Sequence, residues 1–494
     1  MILGQIPVDD CLRELSMRYY ARRRMLDFMR YCWTGGAHNP FAVGPQVIGM
    51  CDKLDLALSN FKRGVSTYLM IRVPFRHFKS QTVSRTFPAF VGAQLWHTDP
   101  EIMTVGSDEG LTVGFSRDAQ GIVQGEQYSH LFPGVELHKT YQAGNEWAFA
   151  GRRSRVRAFG FGSRKVGRGA TILIVDDWCG SREEAENADL RQKAWDSFRN
   201  DLITRLAPVH IVAVVGTPWH VDGLQERILK EMKASHDFPQ FDVTAFPARK
   251  KNEKTGEWEY LCTQKYPESW YRMQYANLTP YEAAGLLDVN PQSASGNMAS
   301  SKWYWKVARP PEGVVTKKIR YWDTAATKSK TSDFTSGGLV WKYNDNKECI
   351  VSITMERVPF AQVGDSILRQ SEIDGKDTEI WIEFEKGSMG IVGPAALAMP
   401  MLSRGFTVRL AKRPNGAKHT IWQSMFTKAW QMKGCGQGMP IVDGPNVDTF
   451  LSHVNSAPDP EYDDDLDSVS GAHNGANGLI ESESVLGNFD MRMV

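Results

Sequence analysis

Hydrophobic residues along the first half of the chain are concentrated in short runs, of which residues 171–175 are unbroken and end in two acids. These runs occupy residues 67–73, 101–106, 171–175 and 209–215. A short apolar run without alternation predicts a strand that is buried on both faces, as in a parallel sheet. Amphipathic or charged segments of helical length separate the runs. The pattern therefore predicts an α/β unit.

Helical spacing of apolar positions predicts the intervening helices. Residues 9–33 place Leu12, Leu15 and Tyr19 on one face and several arginines on the other. The basic face is consistent with simple solvation, and also with a contact to nucleic acid or a partner protein. Further helices are predicted at residues 46–58, 181–203 and 269–287, the second opened by a Ser-x-x-Glu capping pattern.

The pattern changes after residue 250. Polar, tyrosine-rich and Ser/Asn/Gly-rich stretches lead to a Pro-Pro linker, and a β-meander with a further strand and a late acidic helix follows. The predicted meander strands begin near residues 318, 334 and 349, the further strand covers 378–383, and the helix opens near residue 462. The predicted domains are residues 1–250, a lid-like segment and linker at 251–315, residues 316–480, and a tail at 481–494.

Composition limits the class of protein. The chain has 494 residues, 23% of them charged and 42% hydrophobic, with a formal net charge of +1, so any basic surface must be local. Its seven cysteines include no C-x-x-C pair, which argues against a zinc ribbon and favours a reducing compartment. The apolar runs are too short to cross a bilayer, and Met1–Asp10 lacks a signal-peptide pattern. These features predict a soluble, cytoplasmic protein that does not bind membranes.

The first candidate site follows the strand at residues 67–73. Strand, short loop, Lys79-Ser80 and helix is the order of a phosphate-binding loop, in which lysine contacts the β/γ-phosphates and serine contacts Mg²⁺. Val73 and Phe78 stand where such loops usually have glycine. Glycine normally permits close backbone approach to the phosphates.

Two further motifs are predicted to meet this loop at the carboxyl edge of the sheet. Asp176 and Asp177 follow one buried strand, and Thr217 follows the next, although Thr217 is also compatible with a simple turn. Residues 152–168 hold seven Lys or Arg and no acid, with alternation at the strand period over 155–161. This segment predicts a hairpin with a cationic face, either simply exposed or in contact with phosphates.

The second half of the chain contains three acidic groups. Asp323 ends a strand, Glu383 ends another, and Asp464 and Asp467 share a face of the late helix. Each group alone is compatible with a solvated loop. Together they predict a site for two Mg²⁺ or Mn²⁺ ions, because clustered carboxylates serve nuclease chemistry in this way.

These motifs, in this order, resemble the large terminase subunit of tailed bacteriophages. The segments that carry the resemblance are Arg72–Ser80, Gly169–Asp177, Gly216–His220, Trp322–Ala325, Ile382–Ser388 and Asp463–Asp467. The resemblance covers about residues 40–470. It implies an N-terminal P-loop ATPase of the ASCE or RecA-like type, with Walker A and Walker B motifs, followed by an RNase H-like nuclease of the resolvase/integrase superfamily. Phe78 and Pro218 depart from the usual glycine and arginine of the family.

The resemblance also implies roles for individual residues. Lys79 and Ser80 would bind phosphate and Mg²⁺, Asp176 would hold Mg²⁺, Asp177 would orient the attacking water, and Thr217 would couple hydrolysis to movement. Other implied ATP contacts are Gln46, Arg76, His77, Phe78 and Gln81. An arginine that reaches a neighbouring subunit's nucleotide would be Arg164 or Arg168. The nuclease metals would be held by Asp323, Glu383 and Asp464, supported by Asp463 and Asp467.

The implied function is ATP-driven translocation of double-stranded DNA into a procapsid, with cutting of the concatemeric genome by the nuclease. The implied partners are DNA, a small terminase subunit and the portal of the procapsid. A homo-oligomeric ring, a pentamer in the family, would act in the host cytoplasm and be absent from the mature virion. Two alternatives stay open at this point: a helicase–resolvase repair enzyme, and an assembly scaffold without ATPase activity.

Overall fold

The structure is a computed structural model that describes residues 8–33, 41–163, 168–294, 298–324, 334–384, 392–412, 418–460 and 462–484. Among the predicted site residues, Arg164 lies outside these ranges. The chain divides into two compact units, Met1–Gln274 with Glu282–Gln292, and Tyr275–Tyr281 with Ser293–Val494. Each unit contains one large mixed sheet and packed helices, so the fold class is α/β.

The first unit is built on an eight-stranded sheet. Its strands are β1 (Thr67–Arg72), β2 (Glu101–Gly106), β3 (Leu137–Ala143), β4 (Glu146–Phe149), β5 (Arg155–Gly160), β6 (Ala170–Asp176), β7 (Leu206–Gly216) and β8 (Asp242–Ala245). They are ordered β3-β4-β5-β2-β6-β7-β1-β8, and those from β5 to β8 run parallel. The four strands predicted from apolar runs are β1, β2, β6 and β7. They occupy the centre of the sheet, where both faces are buried.

Helices cover both faces of this sheet. The described α-helices up to residue 286 are α1 (Val8–Ala21), α2 (Met25–Tyr31), α3 (Pro45–Lys62), α4 (Phe87–Gln94), α5 (Glu109–Gln124), α6 (Glu126–Leu131), α7 (Arg182–Glu186), α8 (Ala188–Asp196), α9 (Leu224–Ala234), α10 (Glu268–Asn277) and α11 (Pro280–Leu286). Wider π-helical segments cover Gln81–Thr86 and Ser197–Leu202, and 3-10 turns cover Trp96–Thr98 and Ile203–Arg205. A separate antiparallel pair joins β9 (Arg249–Lys251) and β10 (Trp258–Tyr260).

The helices predicted at residues 9–33, 181–203 and 269–287 are each interrupted. Arg24 is extended between α1 and α2, because the Asp55 carboxylate of α3 accepts the backbone N–H of Met25 at 3.0 and 3.1 Å. Asn187 caps α8 by accepting the N–H of Leu190 at 3.1 Å. Pro280 starts α11 and cannot continue α10, since proline has no N–H to donate.

The second unit has its own eight-stranded sheet, with strands β11 (Tyr304–Val307), β12 (Val315–Asp323), β13 (Thr335–Tyr343), β14 (Glu348–Glu356), β15 (Glu379–Phe384), β16 (Val408–Lys412), β17 (Met439–Val442) and β18 (Ser482–Ser484). The order is β11-β17-β14-β13-β12-β15-β16-β18. The predicted meander is β12-β13-β14, antiparallel throughout, and the further strand β15 pairs parallel with β12. β18 adds the start of the predicted tail to the edge of β16.

The helices of the second unit are α12 (Phe360–Asp374), α13 (Val392–Ser403), α14 (Lys418–Gly434), α15 (Val447–Ser456) and α16 (Asp464–Ala476), with a 3-10 turn at Ser301–Trp303. Helix α16, the predicted acidic helix, is buried over its whole length. A Cβ on Gly338 would lie 2.7 Å from the Val469 Cα, and one on Gly471 would lie 2.5 Å from the Tyr321 ring. Glycine at both positions therefore lets α16 lie directly on β12 and β13.

Across the described helices of both units, none combines the length and the hydrophobicity needed to cross a membrane.

Candidate functional site

The carboxyl ends of β6, β7 and β1, which are adjacent strands, bring together three of the predicted motifs. Asp176 ends β6, Thr217 directly follows β7, and the loop before Lys79 follows β1. Backbone hydrogen bonds extend past the strands, from Asp177 N to the Val215 carbonyl at 3.0 Å and from Val73 N to the Gly216 carbonyl at 3.1 Å. The three motifs are thus held at one edge of the sheet.

Asp177 is the contact point of these motifs. Its Oδ2 forms an ion pair with Lys79 Nζ at 2.7 Å, and its Oδ1 accepts the backbone N–H of Thr217 at 3.0 Å. The Thr217 hydroxyl donates to the Val73 carbonyl at 2.9 Å, which ties the end of β7 to the start of the loop. Burial opposes the lysine charge, but Asp177 and Asp176 outweigh it and raise the pKa of Lys79. The edge therefore holds a charged lysine.

Asp176 is buried beneath this ion pair. Ser84 Oγ donates to its Oδ2 at 2.6 Å, and both Ser84 and Ser80 favour the charged form of this carboxylate. Burial, followed by the neighbouring charge of Asp177, raises the pKa of Asp176 to about 6. Its Oδ1 has no hydrogen-bond partner among the described residues. A buried carboxylate oxygen of this kind, beside a serine hydroxyl, suits a hard cation such as Mg²⁺.

Ser84 was absent from the predicted site. It lies four residues after Ser80, so helical spacing puts both hydroxyls on one face of the segment that follows Lys79. This four-residue spacing in the sequence could therefore have predicted that Ser84 lies near Ser80.

The loop before Lys79 has the backbone shape that glycine usually provides, although it contains none. Arg76 and Phe78 have φ values of 61° and 67°, in the left-handed region that bulky residues rarely adopt. Ring centroids of Trp33 and Phe41 lie 6.1 and 6.2 Å from that of Phe78. Lys265 Nζ lies 3.8 Å from the Phe78 centroid. The phenyl ring is therefore packed inside the protein.

The remaining predicted ATP contacts differ in their exposure. Arg76 is exposed, whereas the side chains of His77 and Phe78 are buried, so these two can contribute to nucleotide binding only through their backbone. Gln81 lines a cavity of about 440 Å³. Gln46 is completely buried, and neither atom of its side-chain amide has a hydrogen-bond partner among the described residues. An unpaired buried amide is costly, which makes Gln46 a good candidate for ligand contact.

In the described part of the basic segment, residues 152–163 and 168, two of the arginines are paired with acids. Arg157 forms ion pairs with Glu146 at 3.1 Å and Glu101 at 3.4 Å, and Arg155 lies 3.8 Å from Glu146. The acids come from β4 and β2, which pair with β5, so a local reading of the sequence could not include them. The guanidinium of Arg168 lies 5.0 Å from the centroid of the Phe159 ring.

In the second unit, two predicted acids occupy neighbouring strands. Trp322 of β12 is paired with Ile382 of β15, so Asp323 and Glu383 are the next positions along this parallel register. Tyr321, on the same face as Asp323, donates its hydroxyl to Glu383 Oε2 at 2.8 Å. Burial, then Glu383, and then Asp323 and Asp467, raise the pKa of Tyr321 well above its usual range. The charges of three carboxylates therefore act on one phenol, and Glu383 contacts it directly.

Helix α16 supplies the remaining acids. Asp463 is its N-cap residue, and Asp464 and Asp467 are buried within its first turn and the next. Trp422 of α14 donates its indole N–H to Asp467 Oδ1 at 2.6 Å. Within the ranges that the structure describes, no group of three or more His, Cys, Asp or Glu side chains is arranged to hold a metal ion. The predicted metal ligands therefore stay a prediction.

A buried polar network beside this cluster had no sequence signal. His473 bonds through Nδ1 to Glu348 Oε2 at 2.6 Å and through Nε2 to Ser424 Oγ at 3.0 Å. Burial raises the pKa of Glu348, but the His473 charge and the hydrogen bonds from His473 and Asn477 outweigh it and lower that pKa. His473, Glu348 and Ser424 lie on α16, β14 and α14, so the network anchors α16 to the other two elements.

Known proteins show no similarity to this chain that identifies its family. No family model matches the chain, and no curated protein matches it. Among solved structures, "T. thermophilus RuvC in complex with Holliday junction substrate" aligns at 8% identity and a TM-score of 0.20, covering 34% of this chain and 99% of that one. That TM-score is too low to support an argument about fold or function.

Proposed function

We propose that the chain is a DNA-packaging motor similar to a terminase large subunit, with a P-loop ATPase in its first unit and an RNase H-like nuclease in its second. The observation that carries the proposal is the contact of Asp177 with both Lys79 and Thr217. Three motifs far apart in the chain meet there, at the edge of a parallel sheet where ligands gather.

In this proposal the residues at that edge bind Mg²⁺ and ATP. Lys79 holds the β- and γ-phosphates, Ser80 and Asp176 hold Mg²⁺, and Gln46 contacts the adenine. The unpaired Oδ1 of Asp176 and the unpaired amide of Gln46 support these two assignments. When bound, Mg²⁺ neutralises charge on the phosphates during transfer.

The ion pair of Lys79 with Asp177 suggests how hydrolysis is prepared. An arriving phosphate attracts the ammonium group of Lys79, and this releases Oδ2 of Asp177 to accept a proton from the attacking water. Because the same carboxylate accepts the Thr217 N–H through Oδ1, a change at Asp177 reaches the end of β7 directly. That link gives Thr217 its proposed coupling role.

The nuclease part of the proposal assigns Asp323, Glu383 and Asp464 to two Mg²⁺ or Mn²⁺ ions, with Asp463 and Asp467 in support. Such ions stabilise the attacking and leaving oxygens of a phosphodiester. Tyr321 and Trp422 orient Glu383 and Asp467 by donating to one oxygen of each. The antiparallel meander with a parallel fourth strand supports an RNase H-like arrangement.

The biological setting is part of the same proposal. This function requires three partners: double-stranded DNA, a small terminase subunit and a procapsid portal. It also requires a ring of subunits that acts in a host cytoplasm.

DNA-stimulated ATPase activity of the purified chain tests the first half. Lys79→Ala should lower kcat by at least about 100-fold, because it removes the cation that positions the phosphates. Lys53→Ala is a matched control, since Lys53 also pairs with an aspartate of the first unit, Asp242, at 2.6 Å. Wild-type protein that neither binds nor hydrolyses ATP would favour an assembly scaffold instead.

Plasmid nicking with Mn²⁺ tests the second half. Asp323→Ala should abolish nicking, whereas Asp377→Ala should not. Asp377 pairs with Lys318 at 2.5 Å at the opposite end of the same two strands. Nicking that persists in Asp323→Ala contradicts the assignment. A strong preference for branched over linear DNA would favour a repair or recombination enzyme.

A further inference from the structure

The phosphate loop must be held in its shape by contacts outside itself. Arg76 and Phe78 both have left-handed backbones, a strained conformation for residues other than glycine. Glycine adopts this conformation without the penalty. A loop without glycine keeps such a conformation only where its surroundings enforce it.

One segment of the first unit makes these contacts. In residues 260–271, which we name the aromatic brace, a directional chain of hydrogen bonds reaches the loop. Cys262 N–H donates to the Tyr271 oxygen at 3.0 Å, and the Tyr271 hydroxyl bonds to His77 Nε2 at 2.8 Å. His77 Nδ1 bonds to the Phe75 carbonyl at 2.7 Å. Because a carbonyl only accepts, Nδ1 carries the proton and Nε2 accepts from Tyr271.

The brace also contacts both left-handed residues. The Tyr266 hydroxyl donates to the Arg76 carbonyl at 3.2 Å, and Lys265 Nζ donates to the same carbonyl at 3.5 Å. The ammonium of Lys265 also lies over the Phe78 ring. Tyr266 is itself stacked on Trp270, with ring centroids 4.1 Å apart, so the donor to Arg76 is fixed in place. The brace thus contacts Arg76, His77 and Phe78, and His77 in turn holds the Phe75 carbonyl.

We infer that the aromatic brace replaces the missing glycines, and that Tyr266 and Tyr271 are positioning residues that keep the phosphate loop in its nucleotide-binding shape. The inference rests on the proposed ATPase function. It assigns the brace a direct effect on nucleotide affinity, although none of its side chains needs to touch the nucleotide.

Titration of the full chain with Mg²⁺ and ATPγS tests the brace. Tyr266→Phe, which loses one hydrogen bond, should weaken affinity by about tenfold, equivalent to about 1.4 kcal/mol, and Tyr271→Phe, which loses two, should weaken it by at least as much. Tyr68→Phe is the matched control, because Tyr68 makes the same bond, from its hydroxyl to His210 Nε2 at 2.7 Å, near the opposite end of β1. This control should bind as the wild type does.

A second background separates positioning from general damage. In Arg76→Gly protein the residue whose carbonyl accepts from Tyr266 is no longer strained, so adding Tyr266→Phe should weaken affinity by less than about threefold. Equal losses in the two backgrounds would overturn the inference, because damage to folding would not depend on residue 76.

Hydrogen exchange provides a readout without nucleotide. Amides of residues 75–80 should exchange faster in Tyr271→Phe than in Tyr68→Phe, and equal rates would also overturn the inference. If the wild type binds no nucleotide while the exchange difference is present, the proposed ATPase fails and the brace stands.

Discussion

Phe78 has a left-handed backbone, but its side chain fits into a buried site in the protein. Its ring is buried among Trp33, Phe41 and Lys265. Burial of an aromatic side chain contributes about 1.5–3 kcal/mol, which is comparable to the cost of a left-handed backbone. The sequence showed the missing glycine, but only the surrounding rings explain how the loop keeps its shape without it.

His77 makes the first unit sensitive to acid. Burial, with the charges of Lys265 and Lys79, lowers the pKa of His77 to about 4, against the opposing effect of the Phe75 carbonyl. The histidine of an unfolded chain titrates near 6.5, so the unfolded state binds more protons between about pH 6.5 and 4. Stability is therefore lost as the pH falls through that window. Tyr266 and Tyr271, which also face His77, have raised pKa values and stay neutral there.

We expect this loss to reach about 2 kcal/mol at pH 5, since each pKa unit corresponds to about 1.4 kcal/mol. Urea unfolding of wild type and His77→Gln between pH 7.5 and 5 measures it. The wild type should lose stability relative to the variant as the pH falls. A difference between the two proteins that does not change with pH would contradict this assignment.

Gly471 is required by the closeness of α16 to β12. An added Cβ would lie 2.5 Å from the Tyr321 ring, so Gly471→Ala should lower the free energy of unfolding by about 1–3 kcal/mol, the usual cost of overpacking. In Gly434→Ala the added methyl group meets no atom within 4 Å. Urea unfolding of both variants gives the comparison, and similar midpoints would show that the helix can shift.

Helices α14 and α16 are joined at Asp467, one of the predicted acids of the second unit. Trp422 of α14 donates its indole N–H to Oδ1 of Asp467 of α16, and this bond holds the carboxylate in one orientation. If the proposed nuclease site holds a metal, loss of a residue that orients Asp467 should change metal affinity by about 10–100-fold.

Trp422→Phe keeps an aromatic ring but removes the donor. We expect the Kd for Mn²⁺ to rise by about tenfold or more, as measured by electron paramagnetic resonance on protein without DNA. Trp430→Phe, on the same helix and in contact with Trp303, is the control. Unchanged Mn²⁺ affinity in Trp422→Phe would remove Asp467 from the metal site.

In strand β5, pairing with adjacent strands supplies acids to a segment whose only charged residues are basic. Its segment contains no acid, yet Arg155 and Arg157 are neutralised by Glu146 and Glu101 from the adjacent strands. Arg168, beside Phe159, is the described candidate for a cation that reaches a neighbouring subunit.

For the whole molecule, the proposed ring predicts complementation between subunits. Lys79→Ala destroys the nucleotide site but keeps Arg168, whereas Arg168→Ala keeps the site but lacks the cation. If Arg168 acts in a neighbour's site, a mixture of the two inactive proteins should recover part of the DNA-stimulated ATPase activity. Such arginines contribute about 10³–10⁵-fold to kcat, so partial recovery is measurable. Arg157→Ala mixed with Lys79→Ala is the control.

No recovery at any mixing ratio, with both variants still assembling, would exclude Arg168 from that role and direct attention to Arg164, which lies outside the described residues.

Local sequence patterns were enough to predict the central strands and the acids at their ends. Run length and period are local properties, so β1, β2, β6, β7 and β12 were predicted close to their observed bounds. The positions of Asp176, Asp177 and Asp323 at carboxyl ends followed from the same pattern. In parallel strands these ends share one edge, which made a common site predictable.

Only the tertiary structure decided which groups meet. The break at Arg24 involves a carboxylate from another helix, the ion pairs of the β5 arginines involve acids of adjacent strands, and the loop before Lys79 is contacted by Tyr266 and Tyr271, far along the chain. Each is a contact between residues distant in sequence. Such contacts leave no local period, because their energy comes from burial and hydrogen bonding that exist only once the chain has folded.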